Sequence, residues 1–342
     1  MNAIKKNWKL FLGLSISFLF LYLAFRKVNF SQMMDAFSQA QYLYVIPAIL
    51  LMFFSHWLRS IRWQYLLNPI KEIKIGVLLS SLLIGYMANV FLPAHLGEFL
   101  RAYMVGKKKT VSSSAVFGTI VIERIIDVFT MLILMALAVV VFPFPPWVRK
   151  SGYISFAFIF GLFLVLILMK KYRDFSLRIT EKVTRPLPRT FQHKINDLLH
   201  SFLDGIVPLR RRVDYLFVSL LSLVIWACYG VIFQIVFYAF DFVTTYHLPW
   251  SAALVLLVIT TISVLVPSSP GYVGTYHYLC QLSLGLFGVP ESPALTFAFV
   301  MHGINFFPVL IVGLILVSKE GVSLRGVQKS VVAEGSHEPT AG

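Results

Sequence analysis

The chain predicts an all-α polytopic membrane protein: about six full transmembrane helices plus two broken re-entrant hairpins, in an inverted-repeat architecture. Three observations predict it. Hydrophobic residues make up 58% of the 342 residues and charged residues only 13%, against about 25% charged in an average soluble domain. The apolar residues are gathered into runs long enough to cross a bilayer core as helices. Two of these runs break in the same way. Gly85–Arg101 reads GYMANVFLPAHLGEFLR and Val266–Gly274 reads VPSSPGYVG; both contain Pro-x-x-x-Gly, at Pro93/Gly97 and Pro267/Gly271. Proline removes a backbone donor and glycine lowers helix propensity. Non-helical backbone at membrane depth needs protein or a water-filled cavity around it, so matching breaks in two halves point to a site between the halves.

The formal net charge is +15, but the Lys and Arg residues sit beside apolar spans rather than in a separate soluble module, so no nucleic-acid partner is expected. Flanking charge of this kind sets topology and meets anionic lipid head groups. Cys228 and Cys280 lie inside apolar runs, with no metal spacing and no disulfide framework. No cofactor is expected.

In chain order, Leu10–Phe25 follows Lys5, Lys6 and Lys9 and lacks a small-x-small cleavage site, so it reads as an uncleaved first span. Tyr42–Leu58 is the second, closed by Arg59, Arg62, Lys71 and Lys74. The positive-inside rule puts the N-terminus and the Arg59–Lys74 loop in the cytoplasm. Ile75–Leu92 turns back at Pro93–Gly97, which keeps Arg101 and Lys107–Lys109 inside. Ser114–Val141 crosses outward, Phe142–Trp147 is a proline-rich interfacial turn, and Tyr153–Met169 returns. The basic stretch Lys170–Arg212 is cytoplasmic and joins halves 1–169 and 213–329; Phe191, Ile195, Leu198, Leu199 and Phe202 recur at helical spacing, as on an amphipathic helix lying on the inner leaflet. Leu216–Phe240 crosses outward. Leu254–Val266 and Tyr272–Phe287 form the second hairpin, entered from outside. Pro293–Val317 crosses inward, and 330–342 is a polar, disordered tail. Both termini are expected in the cytoplasm.

An ionisable residue at membrane depth is a functional candidate. Glu98 and Arg101, at i and i+3, either pair at the cytoplasmic interface or line the hairpin tip and meet a lipid head group; Asn89 and His95 flank the same turn. Glu123 lies roughly 13 Å into its helix and shares a face with Asp127. Arg124 is expected to satisfy only one of these carboxylates, with Arg101 a candidate for the other. The group forms either a static interhelical network or a polar cavity for a charged head group. Ser268, Ser269, His277, Gln281, His302 and Asn305 are the polar residues at depth in the second half; the histidines are either structural or coupled to protons. No phosphate-cradling glycine loop or metal-ligand spacing accompanies them, and Glu123 with Asp127 is the one arrangement that suits acid–base chemistry in a membrane transferase.

Three marks resemble the flippase-like family of the lysylphosphatidylglycerol synthase transmembrane region: Asn89, Pro93, Gly97, Glu98 and Arg101 in the first; Glu123, Arg124 and Asp127 in the second; Pro267, Pro270, Gly271 and Gly274 in the third. The similarity runs over roughly residues 8–320. Many members carry Glu where this chain has His277. The resemblance implies a bacterial or archaeal inner-membrane protein that handles phospholipid, without the C-terminal synthase domain of the fused members. Its expected substrate-binding residues are Asn89, Glu98, Arg101, Glu123, Arg124, Asp127 and His277. The leading expectation is a translocase, or its accessory, for an anionic, aminoacylated or glycosylated lipid. The alternatives are a phosphatidylglycerol aminoacyltransferase and a scaffold for a glycosyltransferase or other lipid-modifying enzyme held through Lys170–Arg212.

Overall fold

The computed structural model describes residues 2–91, 96–144, 171–185, 211–265 and 270–320, with isolated positions between 157 and 169 and at 192 and 209. Among these residues every regular element is a helix. We label them α1 (Asn2–Phe25), α2 (Phe30–Gln39), α3 (Val45–Leu67), α4 (Ile75–Phe91), α5 (Leu96–Lys109), α6 (Ser113–Val141), α7 (Arg173–Thr184), α8 (Arg212–Ala239), α9 (Phe242–Thr245), α10 (Trp250–Leu265), α11 (Thr275–Gly285) and α12 (Glu291–Glu320). Short 3₁₀ turns precede α3 and α11.

Among the described residues, four stretches are long and apolar enough to cross a membrane: Tyr42–Leu67, Ser113–Val141, Arg212–Ala239 and Glu291–Glu320. They correspond to four of the expected spans. The first expected span passes the same test only together with α2, across an 86° bend. Asn29 makes that corner by accepting hydrogen bonds from the Ser31 and Gln32 amides, which would otherwise lack partners at the start of α2. The spans expected at Tyr153–Met169, the turn after Phe144, the helix at Phe191–Phe202 and the 330–342 tail lie outside the described residues or nearly so.

One expectation is corrected. The second span does not stop at Leu58: α3 continues to Leu67, and Arg59 and Arg62 lie inside the helix, buried, rather than in a cytoplasmic loop. No helix breaker occurs before Asn68-Pro69, and Trp63, Leu66 and Leu67 continue the buried apolar face. What lets two guanidiniums join that face is their set of counter-ions, described below.

The chain divides into two compact units, each assembled from separate segments: Met1–Leu58, Leu79–Arg101 and Ile225–Gly342 in one, Arg59–Leu78 and Ala102–Val224 in the other. In the first, α11 packs against α1, α10 and α12, and α2 packs against α12. Phe297 is fully buried at the centre of an aromatic cluster with Phe233, Phe237, Phe240 and Phe242. The α1–α2 corner is held to α12 by Asn29 N–H donating to Ser292 Oγ and Thr296 Oγ1 donating to the Met33 carbonyl. In the second unit the core is Trp63, Leu66, Leu67, Ile73, Leu78, Ala102, Val105, Val116, Ile120 and Val218. Trp63 Nε1 donates to Thr119 Oγ1 at 3.0 Å, so the indole is buried without leaving its N–H unsatisfied. In α7, Phe175, Ile179 and Val183 recur at four-residue spacing and all are exposed; Arg173 opens the helix, and Arg178 and Lys182 alternate with the apolar positions. An amphipathic helix therefore does occur within the basic stretch, upstream of the expected one.

Candidate functional site

Five charged side chains meet inside the second unit. The helical repeat places Glu123 and Asp127 on one face of α6, and Arg59 and Arg62 one turn apart on α3. Arg59 Nη2 lies 2.6 Å from Asp127 Oδ2 and 3.2 Å from Glu123 Oε1. Arg62 Nη1 lies 2.7 Å from Asp127 Oδ1, and its Nη2 lies 3.3 Å from Glu123 Oε1. Arg59 thus reaches both carboxylates through Nη2 alone, whereas Arg62 uses one nitrogen of its planar fork for each. Arg62 Nη1 also donates to Ser222 Oγ at 2.9 Å, bringing α8 into the group. Arg124 curls back along its own helix: Nη2 sits 3.0 Å from Glu123 Oε1 and 3.5 Å from Asp127 Oδ2. It therefore touches both carboxylates, not one as expected, because the i,i+3 spacing brings Asp127 within its reach.

Glu123 stands about 15 Å from the start of α6, at 1.5 Å per residue. A lone charge at such depth costs about 2.5–3.5 kcal/mol on insertion scales. Mutual pairing offsets this for four of the five groups, which are buried: Glu123 and Arg62 fully, Arg59 and Asp127 nearly so. Arg124 differs, with 37% of its side chain exposed. Three guanidiniums face two carboxylates, so these five groups carry one positive charge in excess. The geometry suits an anion or a helix lock; with guanidiniums facing both carboxylates, it does not set one apart as acid and the other as base.

Arg59 and Arg62 were not among the expected site residues, since basic residues at the end of an apolar run ordinarily mark the cytoplasmic flank. The signal that identifies them is the sequence His56-x-x-Arg59-x-x-Arg62, one face of an uninterrupted helix, together with two carboxylates in α6 that need cations. Arg101, the partner proposed from sequence, belongs to the other unit, where it is buried in α5.

The first break is a close reversal of α4 into α5. Gly97 N–H donates to Asn89 Oδ1 at 2.7 Å, which satisfies an amide at the start of α5. Gly85 and Gly97 pass so closely that a Cβ on Gly97 would land on the Gly85 carbonyl oxygen and the Asn89 side chain. Glu98 is half-buried in the first turn of α5. Pro93 and His95 lie outside the described residues. We expect Asn89→Ala to lower stability by about 1 kcal/mol, the usual cost of losing a side-chain cap, read as a lower unfolding midpoint in detergent.

The second break is made by backbone that only glycine adopts freely: Gly271 at φ 75° and Gly274 at φ 93°, with Tyr272 between them at φ 58°. Pro270 opens the 3₁₀ turn, and Pro267, Ser268 and Ser269 lie outside the described residues. Gly271 sits over the Phe306 ring and Gly274 against the Ser17 carbonyl. His277 occupies the third position of α11, where its Nδ1 accepts the Gly274 N–H at 3.4 Å. Glutamate fills this role in a capping box. The His277 ring stacks on His302 at 4.8 Å between centroids. Gln281 Nε2 donates to the Ala24 and Glu291 carbonyls, and Asn305 Nδ2 donates to the Met301 carbonyl. The sequence-selected polar residues described here serve as caps and ties.

The family model described as "Lysylphosphatidylglycerol synthase TM region" matches residues 10–313. The chain is similar to a UPF0104 membrane protein of Methanothermobacter thermautotrophicus, 24% identical over 306 residues, which cover 85% of this chain and 89% of that protein. A UPF0104 membrane protein of Methanocaldococcus jannaschii is 21% identical over 302 residues, 82% of this chain and 86% of that protein. Glycosyltransferase AglD of Haloferax volcanii is 28% identical over 120 residues, 34% of this chain and 19% of that protein. No solved structure matches.

Proposed function

Because the chain belongs to the lysylphosphatidylglycerol synthase transmembrane-region family, and is a multi-pass helical membrane protein, we propose that it moves a lipid between leaflets, alone or as part of a larger translocase. One observation carries this reading: a paired charge cluster of Arg59 and Arg62 on α3 with Glu123, Arg124 and Asp127 on α6, four of the five buried, within two helices long and apolar enough to cross a membrane. Charge at that depth is costly unless it is satisfied, and it marks substrate paths in membrane proteins. Asn89, Glu98, Arg101 and His277 belong to the other unit, and their proposed part is to shape the two broken segments. The protein acts in the bacterial or archaeal plasma membrane with both termini in the cytoplasm, and the two breaks belong to an inverted repeat joined by the basic stretch. The exposed apolar and basic faces of α7 suit anionic lipid head groups at the inner leaflet.

The direct test reconstitutes the purified protein in liposomes and follows how quickly fluorescent phosphatidylglycerol becomes accessible to an external quencher. Exchange well above that of liposomes carrying an unrelated membrane protein is the expected result. A rate no higher than that control, with native lipid extract present, would overturn the translocation reading. A second reading is favoured by the partial match to a glycosyltransferase: a membrane partner or scaffold for such an enzyme. Co-purification of a glycosyltransferase that is lost when residues 170–212 are replaced would support it.

A further inference from the structure

We infer that α2 lies in the plane of the membrane at the head-group layer and docks the chain to lipid there, with Phe30 and Met34 set among the upper acyl chains. This goes beyond the proposed function and does not depend on it. At about 100° per residue, Ser31, Gln32, Asp35, Ser38 and Gln39 fall within an arc of about 120°, and Phe30, Met33, Met34, Ala36 and Phe37 take the rest of the helix. All five polar residues are exposed. Only part of the apolar arc is used for packing. Met33, Ala36 and Phe37 are half-buried and α2 packs against α12, whereas Phe30 is 62% and Met34 57% exposed. A helix with one polar arc in the open, and an apolar arc shared between protein and open space, is built for an interface.

Two hydrogen bonds fix the level of α2. Asn29 N–H donates to Ser292 Oγ at 3.0 Å, and Gln41 N–H donates to the Ala239 carbonyl at 2.8 Å. Ala239 ends one membrane-crossing stretch, Glu291 begins another, and Tyr42 begins a third. The helix therefore sits where three such stretches end. The 86° bend turns it across the line of α1, so its ten residues run along the surface rather than through the bilayer. The occupant of the open apolar edge is lipid because that edge continues a longer surface. Leu14, Phe18 and Tyr22 are exposed one turn apart on α1, and Phe25 stacks on Phe30 across the corner at 6.0 Å between centroids. Tyr42, Tyr44 and Tyr238, the last two stacked on each other, are exposed at the same level, as aromatic residues at a head-group layer are. Asp35 stands on the opposite arc, where water solvates a carboxylate that would be costly at the bilayer centre.

The test places single cysteines at Met34→Cys, Asp35→Cys and Gln39→Cys in the full chain. Each carries a nitroxide, and collisions with oxygen and with a water-soluble nickel chelate are read in vesicles of phosphatidylcholine and phosphatidylglycerol. The unsubstituted chain, whose Cys228 and Cys280 are buried, sets the background. The label at 34 is expected about 5–10 Å below the phosphates, with oxygen favoured over the chelate; at 35 and 39 that preference should reverse. The chelate favoured at 34 would mean that the helix stands in water. Exclusion of both reagents at 34 would mean that protein, a second copy or a partner, covers the edge. Oxygen favoured at all three positions would make α1 and α2 one bent span at depth. Each of these overturns the inference. Should Met34→Cys fail to fold, Phe30→Cys takes its place with the same expected reading. No transport is measured, so a failure of lipid exchange in liposomes leaves this result untouched.

Discussion

Glu123→Gln should cost about 3–5 kcal/mol of stability, as expected when one partner of a buried ion pair is removed. Glutamine keeps the size of the side chain and removes only its charge. Glu123 is fully buried, and its Oε1 lies 3.0–3.3 Å from guanidinium nitrogens of Arg59, Arg62 and Arg124. Without it the carboxylate of Asp127 is the one that remains in this group. The unfolding midpoint in detergent measures the effect. The double variant Glu123→Gln/Arg124→Gln should recover part of the loss, because it restores the original charge excess; a double-mutant cycle isolates that coupling. A single-variant loss under about 1 kcal/mol would mean that solvent reaches the cluster as it reaches a surface ion pair.

Gly97→Ala is the second large effect, about 3 kcal/mol, at the upper end of what overpacking usually costs. The added methyl group meets the Gly85 carbonyl oxygen and the Asn89 side chain. A backbone oxygen cannot swing aside as the tip of a long side chain can, so the start of α5 must retreat from α4. The Asn89–Gly97 hydrogen bond goes with it. Gly76→Ala is the matched control within α4: nothing lies within 4 Å of its added Cβ, and alanine is the better helix former. Opposite shifts in unfolding midpoint for the two variants would confirm that contact, not glycine content, is responsible. A Gly97→Ala protein as stable as wild type would refute the close reversal.

Much of this was legible in the residues themselves. Glu123 and Asp127 stand out because everything around them in α6 is apolar, and charge in an apolar run has few explanations. The positive-φ backbone at Gly271 and Gly274 follows from glycine, whose effect on backbone is local. Arg59 and Arg62 were legible as charges but not as site residues. Their role depends on which helix packs against α3, and the same residues with no carboxylates opposite would have ended the span. His277 left two readings open in the sequence, structural or proton-coupled. An imidazole at depth suggests titration or ligand contact, whereas here its Nδ1 serves a backbone amide three residues earlier and its ring stacks on a second histidine. Capping is a local role, readable from the position of His277 three residues after Gly274, at the spacing of a capping box.

The ion cluster is assembled from parts far apart in the chain. Arg59 and Arg62 meet Glu123 across 64 and 61 residues, and Arg62 meets Ser222 across 160. A ribosome adding about 5–20 residues per second completes α3 roughly 3–11 seconds before it reaches Glu123. During that interval the C-terminal end of α3 carries two guanidiniums with no counter-charge, a segment that the insertion machinery should accept poorly on its own. The expected outcome is that the end of α3 enters the bilayer fully only once α6 has been made, which cysteine labelling of chains stopped before and after Glu123 would check. The order of synthesis, as much as the finished packing, decides when this part of the protein becomes a membrane span.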